Sequence, residues 1–264
     1  MSSQELATTT SNTPFVYSDK LESFGLVDGP GVRSILFVSG CPFRCLYCHN
    51  PEMQSATCGQ IVTPLEAYKA LIRYKRYWGK NGGVTVSGGE PLTNIPFLVE
   101  LGKLLKQDGI GFVIDTSCAT FSLDPSYLTK FDELLSYCDL FLLDLKGLDD
   151  DLHKKITGKS NKNVLEAFHY LAKKHFPIWV RYVLVPGYTD DESLLKRSGE
   201  FLKSLGNVER LEVLPYHTLA IPEYEKLHRE YYLKDVYPPS EKEVARANKL
   251  IDSDYFVGYL KNQD

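Results

Sequence analysis

Ser34-Ile35-Leu36-Phe37-Val38-Ser39-Gly40-Cys41-Pro42-Phe43-Arg44-Cys45-Leu46-Tyr47-Cys48 runs from an apolar, β-prone stretch straight into three closely spaced cysteines. The first five residues read as a buried strand and the rest as the loop that leaves it. Working outward, five more short apolar runs follow, at 84–86, 112–114, 140–145, 178–185 and 211–214. Longer amphipathic stretches separate them, at 64–77, 95–107, 125–136, 163–174 and 190–205, with a last one at 240–251. Thr63-Pro64 with Glu66 behind it has the composition of a helix start, and Gly206-Asn207 that of a helix end. Repeated strand–helix alternation predicts an α/β fold with a parallel sheet and helices outside it. In such folds the chemistry gathers at the C-terminal ends of the strands. The residues after each run fit that rule: Gly40-Cys41, Ser87-Gly88-Gly89-Glu90, Asp115-Thr116, Asp144 with Lys146, Pro186-Gly187 and Pro215-Tyr216-His217. Six runs aiming polar or glycine residues at one rim predict one domain with one site.

Composition narrows the function. The chain has 264 residues, 43 % hydrophobic and 24 % charged, which is a globular mix. A net charge of −4 calls for neither nucleic acid nor an anionic membrane. The apolar run 140–143 ends at Asp144, far short of a membrane span. Residues 1–14, rich in Ser, Thr and Asn, read as a flexible arm without a signal-peptide pattern, so 15–264 is expected to be the folded domain, in the cytoplasm. Thiols stay reduced there, and six cysteines then point to metal or catalysis before disulfides.

Cys41, Cys45 and Cys48 have the spacing C-x3-C-x2-C. A structural zinc site takes four ligands, usually as two pairs, and Cys58, Cys118 and Cys138 are scattered singly. Three thiolates suit a [4Fe-4S] cluster with one iron lacking a protein ligand. His49 is either a fourth ligand or a side chain behind the ligands; its adjacency to Cys48 favours the second. Gly88 and Gly89 lack a Cβ and would let a ligand approach the backbone. Asp144 and Lys146 are two apart on a strand and face one side, where buried charges need partners. Asp28 sits in an Asp-Gly-Pro-Gly turn, and Arg181 falls at the start of the fifth run. Cys118 reads as a small buried filler.

These motifs resemble the radical S-adenosylmethionine enzymes: the C-x3-C-x2-C loop with Tyr47 before its last cysteine, and Gly88-Gly89-Glu90 after the second strand. The stretch Phe24 to Arg33 leading into the cysteines, with Asp144-Leu145-Lys146, the run 179–187 and Leu214-Pro215-Tyr216-His217, resembles the branch that activates glycyl-radical enzymes. The resemblance covers about residues 15–250. It implies an incomplete (β/α)6 barrel, a partial TIM barrel. It also implies reductive cleavage of S-adenosyl-L-methionine at a [4Fe-4S] cluster on Cys41, Cys45 and Cys48, giving a 5′-deoxyadenosyl radical. The extra cysteine-rich insert of some activases is absent between Cys48 and Gly88, which points to pyruvate formate-lyase as partner, through its glycine loop, with flavodoxin or a similar one-electron donor. The resemblance places Tyr47, Gly88, Gly89, Glu90, Asp144, Lys146 and His217 at S-adenosylmethionine, with Glu90 either orienting its ammonium or structural. It places Asp115, Thr116 and Asp144 at a monovalent cation, and Asp28, Arg181 and His49 on the substrate side. A monomer is expected. One departure stands out: where the family often has a glycine, two residues after Thr116, this chain has Cys118.

Overall fold

The computed structural model describes residues 13–262. Its strands are β1 (Val16–Ser18), β2 (Lys20–Gly25), β3 (Arg33–Val38), β4 (Gln60–Val62), β5 (Gly83–Gly88), β6 (Gly111–Thr116), β7 (Leu140–Asp144), β8 (Ile178–Leu184) and β9 (Val208–Pro215). Its helices are α1 (Pro64–Leu71), α2 (Ile95–Gln107), α3 (Pro125–Leu135), α4 (Asp150–Thr157), α5 (Lys162–Lys173), α6 (Glu192–Leu205), α7 (Ile221–Lys226) and α8 (Glu241–Ile251).

All six strands expected from the apolar runs are present. With β2 they form one seven-stranded sheet in the order β2-β3-β5-β6-β7-β8-β9. β2 pairs antiparallel with β3 and every other pair is parallel. The sheet does not close, since β2 and β9 are its two edges. This is the open α/β architecture of a partial barrel. Every residue of β3 is buried, as expected of a parallel strand covered on both faces. Leu36 and Val38 join the large core beneath the helices, with Leu71, Phe97 and Phe112, while Ile35 and Phe37 pack on Met53 on the other face.

Local chemistry sets the helix ends. Thr63 and Glu66 form the reciprocal cap foreseen at α1, and Ser240 with Glu243 does the same at α8. Gly206, left-handed at φ 73°, ends α6. The helix expected over 64–77 is α-helical only to Leu71 and continues as a tighter 3₁₀ helix, Ile72–Tyr77. Arg181, expected at the start of the fifth run, lies in the middle of β8. β1, β2, β4, α4 and α7 were not foreseen. β1 and β4 have three residues each, β2 is half exposed, and α4 and α7 are only eight and six residues long, too short to stand out as amphipathic stretches. The arm expected over 1–14 falls outside the described residues, apart from Thr13 and Pro14.

Candidate active site

The three cysteines lie on the loop that leaves β3, at the C-terminal rim. That loop is held from both sides. Gly40 N donates to Met53 O at 2.8 Å, while Arg44 N and Leu46 N donate to Thr157 O and Ile156 O at the end of α4. Arg44 also folds back, its guanidinium donating to the carbonyls of Cys41 and Phe43. Cys41, Cys45 and Cys48 are free thiols, partly buried. Burial pushes their pKa values up, Cys41 to about 11 and Cys45 to about 12. Without metal the thiols are therefore protonated at neutral pH, and metal uptake must displace those protons.

Among the described residues, no three His, Cys, Asp or Glu side chains are gathered to hold a single metal ion. A four-iron cube is wider than one ion and takes its thiolates on separate corners, so three spaced, reduced, half-accessible thiols suit it better than a mononuclear site. The surrounding charges agree. Lys146 faces all three cysteines electrostatically. Its ammonium pairs with Asp144 at 2.8 Å, although only 14 % of its side chain is exposed. Burial works against that charge, but Asp144, Cys45 and Tyr47 more than offset it and keep the lysine pKa above its ordinary value. A cation held beside three thiolates is what a cluster site needs. The Tyr47 ring lies 5.7 Å from the Lys146 ammonium, and its buried hydroxyl has no partner.

The Gly-Gly-Glu turn is bolted to this loop. Gly89 N donates to Val38 O at 2.7 Å and Glu90 N to Gly40 O at 2.8 Å. A Cβ on Gly88 would meet the backbone of Val38 at 2.5 Å, and one on Gly89 the Gly40 carbonyl oxygen at 2.5 Å. The absent side chains thus serve contact between this turn and the cysteine loop within the chain itself, where the sequence reading had put room for a ligand. Glu90 is fully buried. Its carboxylate accepts from Leu92 N, Thr116 Oγ1, Ser117 N and Ser117 Oγ. Through these contacts Glu90 ties the turn after β5 to the end of β6.

Thr116 and its neighbours are engaged elsewhere than at a cation. The Thr116 hydroxyl donates to Glu90 and accepts from Cys118 N. Asp115 accepts from Ser87 Oγ at 2.7 Å and from Arg181 at 3.1 Å, and Asp144 is paired with Lys146. Asp144 nonetheless lies close enough to Asp115 to act on its charge.

Arg181, 11 % exposed, is the hub of the sheet's concave face. It contacts Asp115, Asp28 at 3.4 Å and Glu212 at 3.8 Å, and it donates to the carbonyl of Val27. Burial raises the pKa of Asp115, opposed by Arg181 and reinforced by Asp144. For Arg181 burial acts downward, and the surrounding carboxylates outweigh it. The Asp28 turn is anchored from below. Arg33 Nε donates to Thr85 Oγ1 at 2.8 Å, and that hydroxyl donates to Asp28 O at 2.7 Å. Across the opening, His49 and His217 stack. Residues not foreseen are Ser117 and Glu212, whose roles depend on partners far along the chain.

The chain matches the Radical SAM superfamily over residues 35–197. The pyruvate formate-lyase-activating enzyme of Streptococcus mutans is 43 % identical over 242 residues, covering 91 % of this chain and 92 % of that one. Its counterpart from Staphylococcus epidermidis is 45 % identical over 234 residues, covering 88 % and 93 %. Among solved structures, a domain of the pyruvate-formate lyase-activating enzyme from Bacteroides vulgatus superposes with a TM-score of 0.54 at 31 % identity, covering 66 % of this chain and 94 % of that one. Streptococcus suis SuiB bound to its precursor peptide shares the fold, with a TM-score of 0.60 at 17 % identity over 86 % of this chain and 46 % of that one.

Proposed function

The chain belongs to the radical SAM superfamily and, within it, to the pyruvate formate-lyase-activating enzymes, and from that premise we propose how its residues share the work. The function is to generate a glycyl radical on pyruvate formate-lyase. The observation that carries this reading is the loop of three free thiols fastened to the Gly-Gly-Glu turn, with a buried Lys146–Asp144 pair beside it.

Cys41, Cys45 and Cys48 hold a [4Fe-4S] cluster, leaving one iron for S-adenosylmethionine. When bound, the cluster would supply the electron for reductive cleavage of S-adenosylmethionine, the chemistry that allows a hydrogen to be taken from the partner's glycine. Lys146 offsets thiolate charge, and with Asp144, Tyr47 and His217 it lines the cofactor side. The backbone of Gly88 and Gly89 forms the strand edge there, and Glu90 keeps that edge rigid. Asp28, Arg181 and His49 face the incoming glycine loop, which enters through the unclosed side of the sheet. A monovalent cation at Asp115 and Asp144 would require both carboxylates to exchange their present partners. The buried walls exclude water and other quenchers from the reacting atoms.

The electron comes from flavodoxin or a similar one-electron donor, and the protein works as a monomer in the cytoplasm, where cysteines stay reduced. Among the described residues no helix is long and apolar enough to cross a membrane. Anaerobic reconstitution with iron, sulfide, S-adenosylmethionine and a reductant should produce a glycyl-radical electron paramagnetic resonance signal on added pyruvate formate-lyase. Cofactor cleavage without that signal would reject the partner.

A further inference from the structure

One buried imidazole behind the cysteine loop has no part in the scheme above. His153 lies in α4 and is 1 % exposed. Its Nδ1 stands 2.8 Å from the Lys159 carbonyl oxygen, which only accepts, so Nδ1 carries the hydrogen. Nε2 is buried without a partner. Thr157 completes a knot: its hydroxyl donates to His153 O at 2.8 Å and accepts from Lys159 N at 3.2 Å. The knot fixes the last turn of α4, whose terminal carbonyls have no partner within the helix. Two of them, Thr157 O and Ile156 O, accept from Arg44 N at 2.8 Å and from Leu46 N at 2.9 Å. Those two amides flank Cys45. The His153 ring also meets the Phe43 ring edge to face, with centroids 5.2 Å apart, and Phe43 lies midway between Cys41 and Cys45. One turn of one helix therefore sets the chain on both sides of Cys45.

A cluster binds most readily to thiols already in place, because a loose loop loses conformational entropy when the metal orders it. We propose that His153 is a positioning residue: it locks the end of α4 and, through Arg44 N, Leu46 N and Phe43, presets Cys45 for the cluster. The hold on residues 44 and 46 is made through their backbone amides, so it does not depend on their side chains. The role involves no bond change and no proton transfer at His153. It deepens the cluster reading above and rests on it for the ligand role of Cys45.

The test is site-resolved thiol alkylation of the full, cluster-free chain under anaerobic, reducing conditions, read by mass spectrometry. His153→Asn places an amide N–H at the level of Nδ1, where it still reaches Lys159 O. His153→Gln places it further out, at the level of Nε2, and leaves that carbonyl without its donor. In the Gln variant Cys45 should alkylate about tenfold faster, the change in local opening that loss of one buried hydrogen bond gives. The Asn variant should recover most of the wild-type protection. Cys118 and Cys138, which lie in the main core, should stay slow in both. On reconstitution the Gln variant should take up iron and sulfide more slowly than the Asn variant. If His153→Gln does not fold, Thr157→Val, which unties the same knot, decides in its place. A folded Gln variant with the wild-type rate at Cys45 overturns the proposal alone. So does an equal rise in the Gln and Asn variants, or a rise at Cys118 and Cys138 in step with Cys45. A wild-type chain that takes up no iron and sulfide overturns the cluster reading, and this proposal with it.

Discussion

The rings of His49 and His217 stack at 4.0 Å between centroids, 21° from parallel. One closes the cysteine loop after β3 and the other follows β9, so the stack links that loop to the edge strand β9 on the far side of the unclosed sheet. Burial, followed by the neighbouring His217, depresses the His49 pKa from 6.5 to about 4. The unfolded chain therefore binds a proton at His49 before the folded chain does. This contribution is intact above pH 6.5 and is lost as pH falls toward 4. In cluster-free protein, urea midpoints measured at pH 7 and pH 4.5 should differ less for His49→Gln than for wild type. An equal difference would show that the stack does not hold His49 neutral.

The six cysteines divide into two sets. Cys41→Ser, Cys45→Ser or Cys48→Ser should each abolish the four-iron spectrum and cofactor cleavage. Cys58→Ser should leave both intact, because that thiol lies outside the cysteine loop. Iron and acid-labile sulfide content per chain is the readout. Full loading of any of the first three variants would mean that another side chain ligates.

Glu90 separates bracing from cofactor contact. Glu90→Ala leaves Thr116, Ser117 and the Leu92 amide without their acceptor. It should cost about 3 kcal/mol or more, read as a lower urea midpoint. Glu90→Gln keeps one acceptor oxygen and should lose less stability, with S-adenosylmethionine affinity close to wild type. A folded Gln variant with strongly weakened affinity would place Glu90 at the cofactor after all.

Cys118 stands where the family often has glycine, and its φ of 54° is left-handed. A side chain there costs roughly 1–2 kcal/mol, partly offset by complete burial of the thiol and by its amide donating to Thr116. Cys118→Gly should therefore change stability by less than about 1 kcal/mol, since relief of strain and loss of packing oppose each other. Cys118→Val should destabilise by about 2 kcal/mol or more, because a β-branched residue resists that backbone conformation. Thermal denaturation of the pair distinguishes the two effects.

The cysteine loop was legible in the sequence because its ligands lie within eight residues and follow an unmistakable apolar strand. The parallel strands were legible for a similar reason: burial on both faces leaves uninterrupted apolar runs. Glu90 kept two readings because its acceptor role depends on Thr116 and Ser117, 26 and 27 residues away. The purpose of Gly88 and Gly89 was hidden in the same way, since the atoms that forbid a Cβ belong to Val38 and Gly40. The hub role of Arg181 was not legible because the carboxylates it meets, Asp28, Asp115 and Glu212, lie on other segments of the chain.

The central claim is that three thiolates hold the cluster and leave one corner for the sulfonium cofactor. The most direct measurement is the electron paramagnetic resonance spectrum of the reduced, reconstituted chain before and after S-adenosylmethionine is added. The account predicts a [4Fe-4S]⁺ signal whose g-values shift on addition. A spectrum unchanged by saturating S-adenosylmethionine would contradict it.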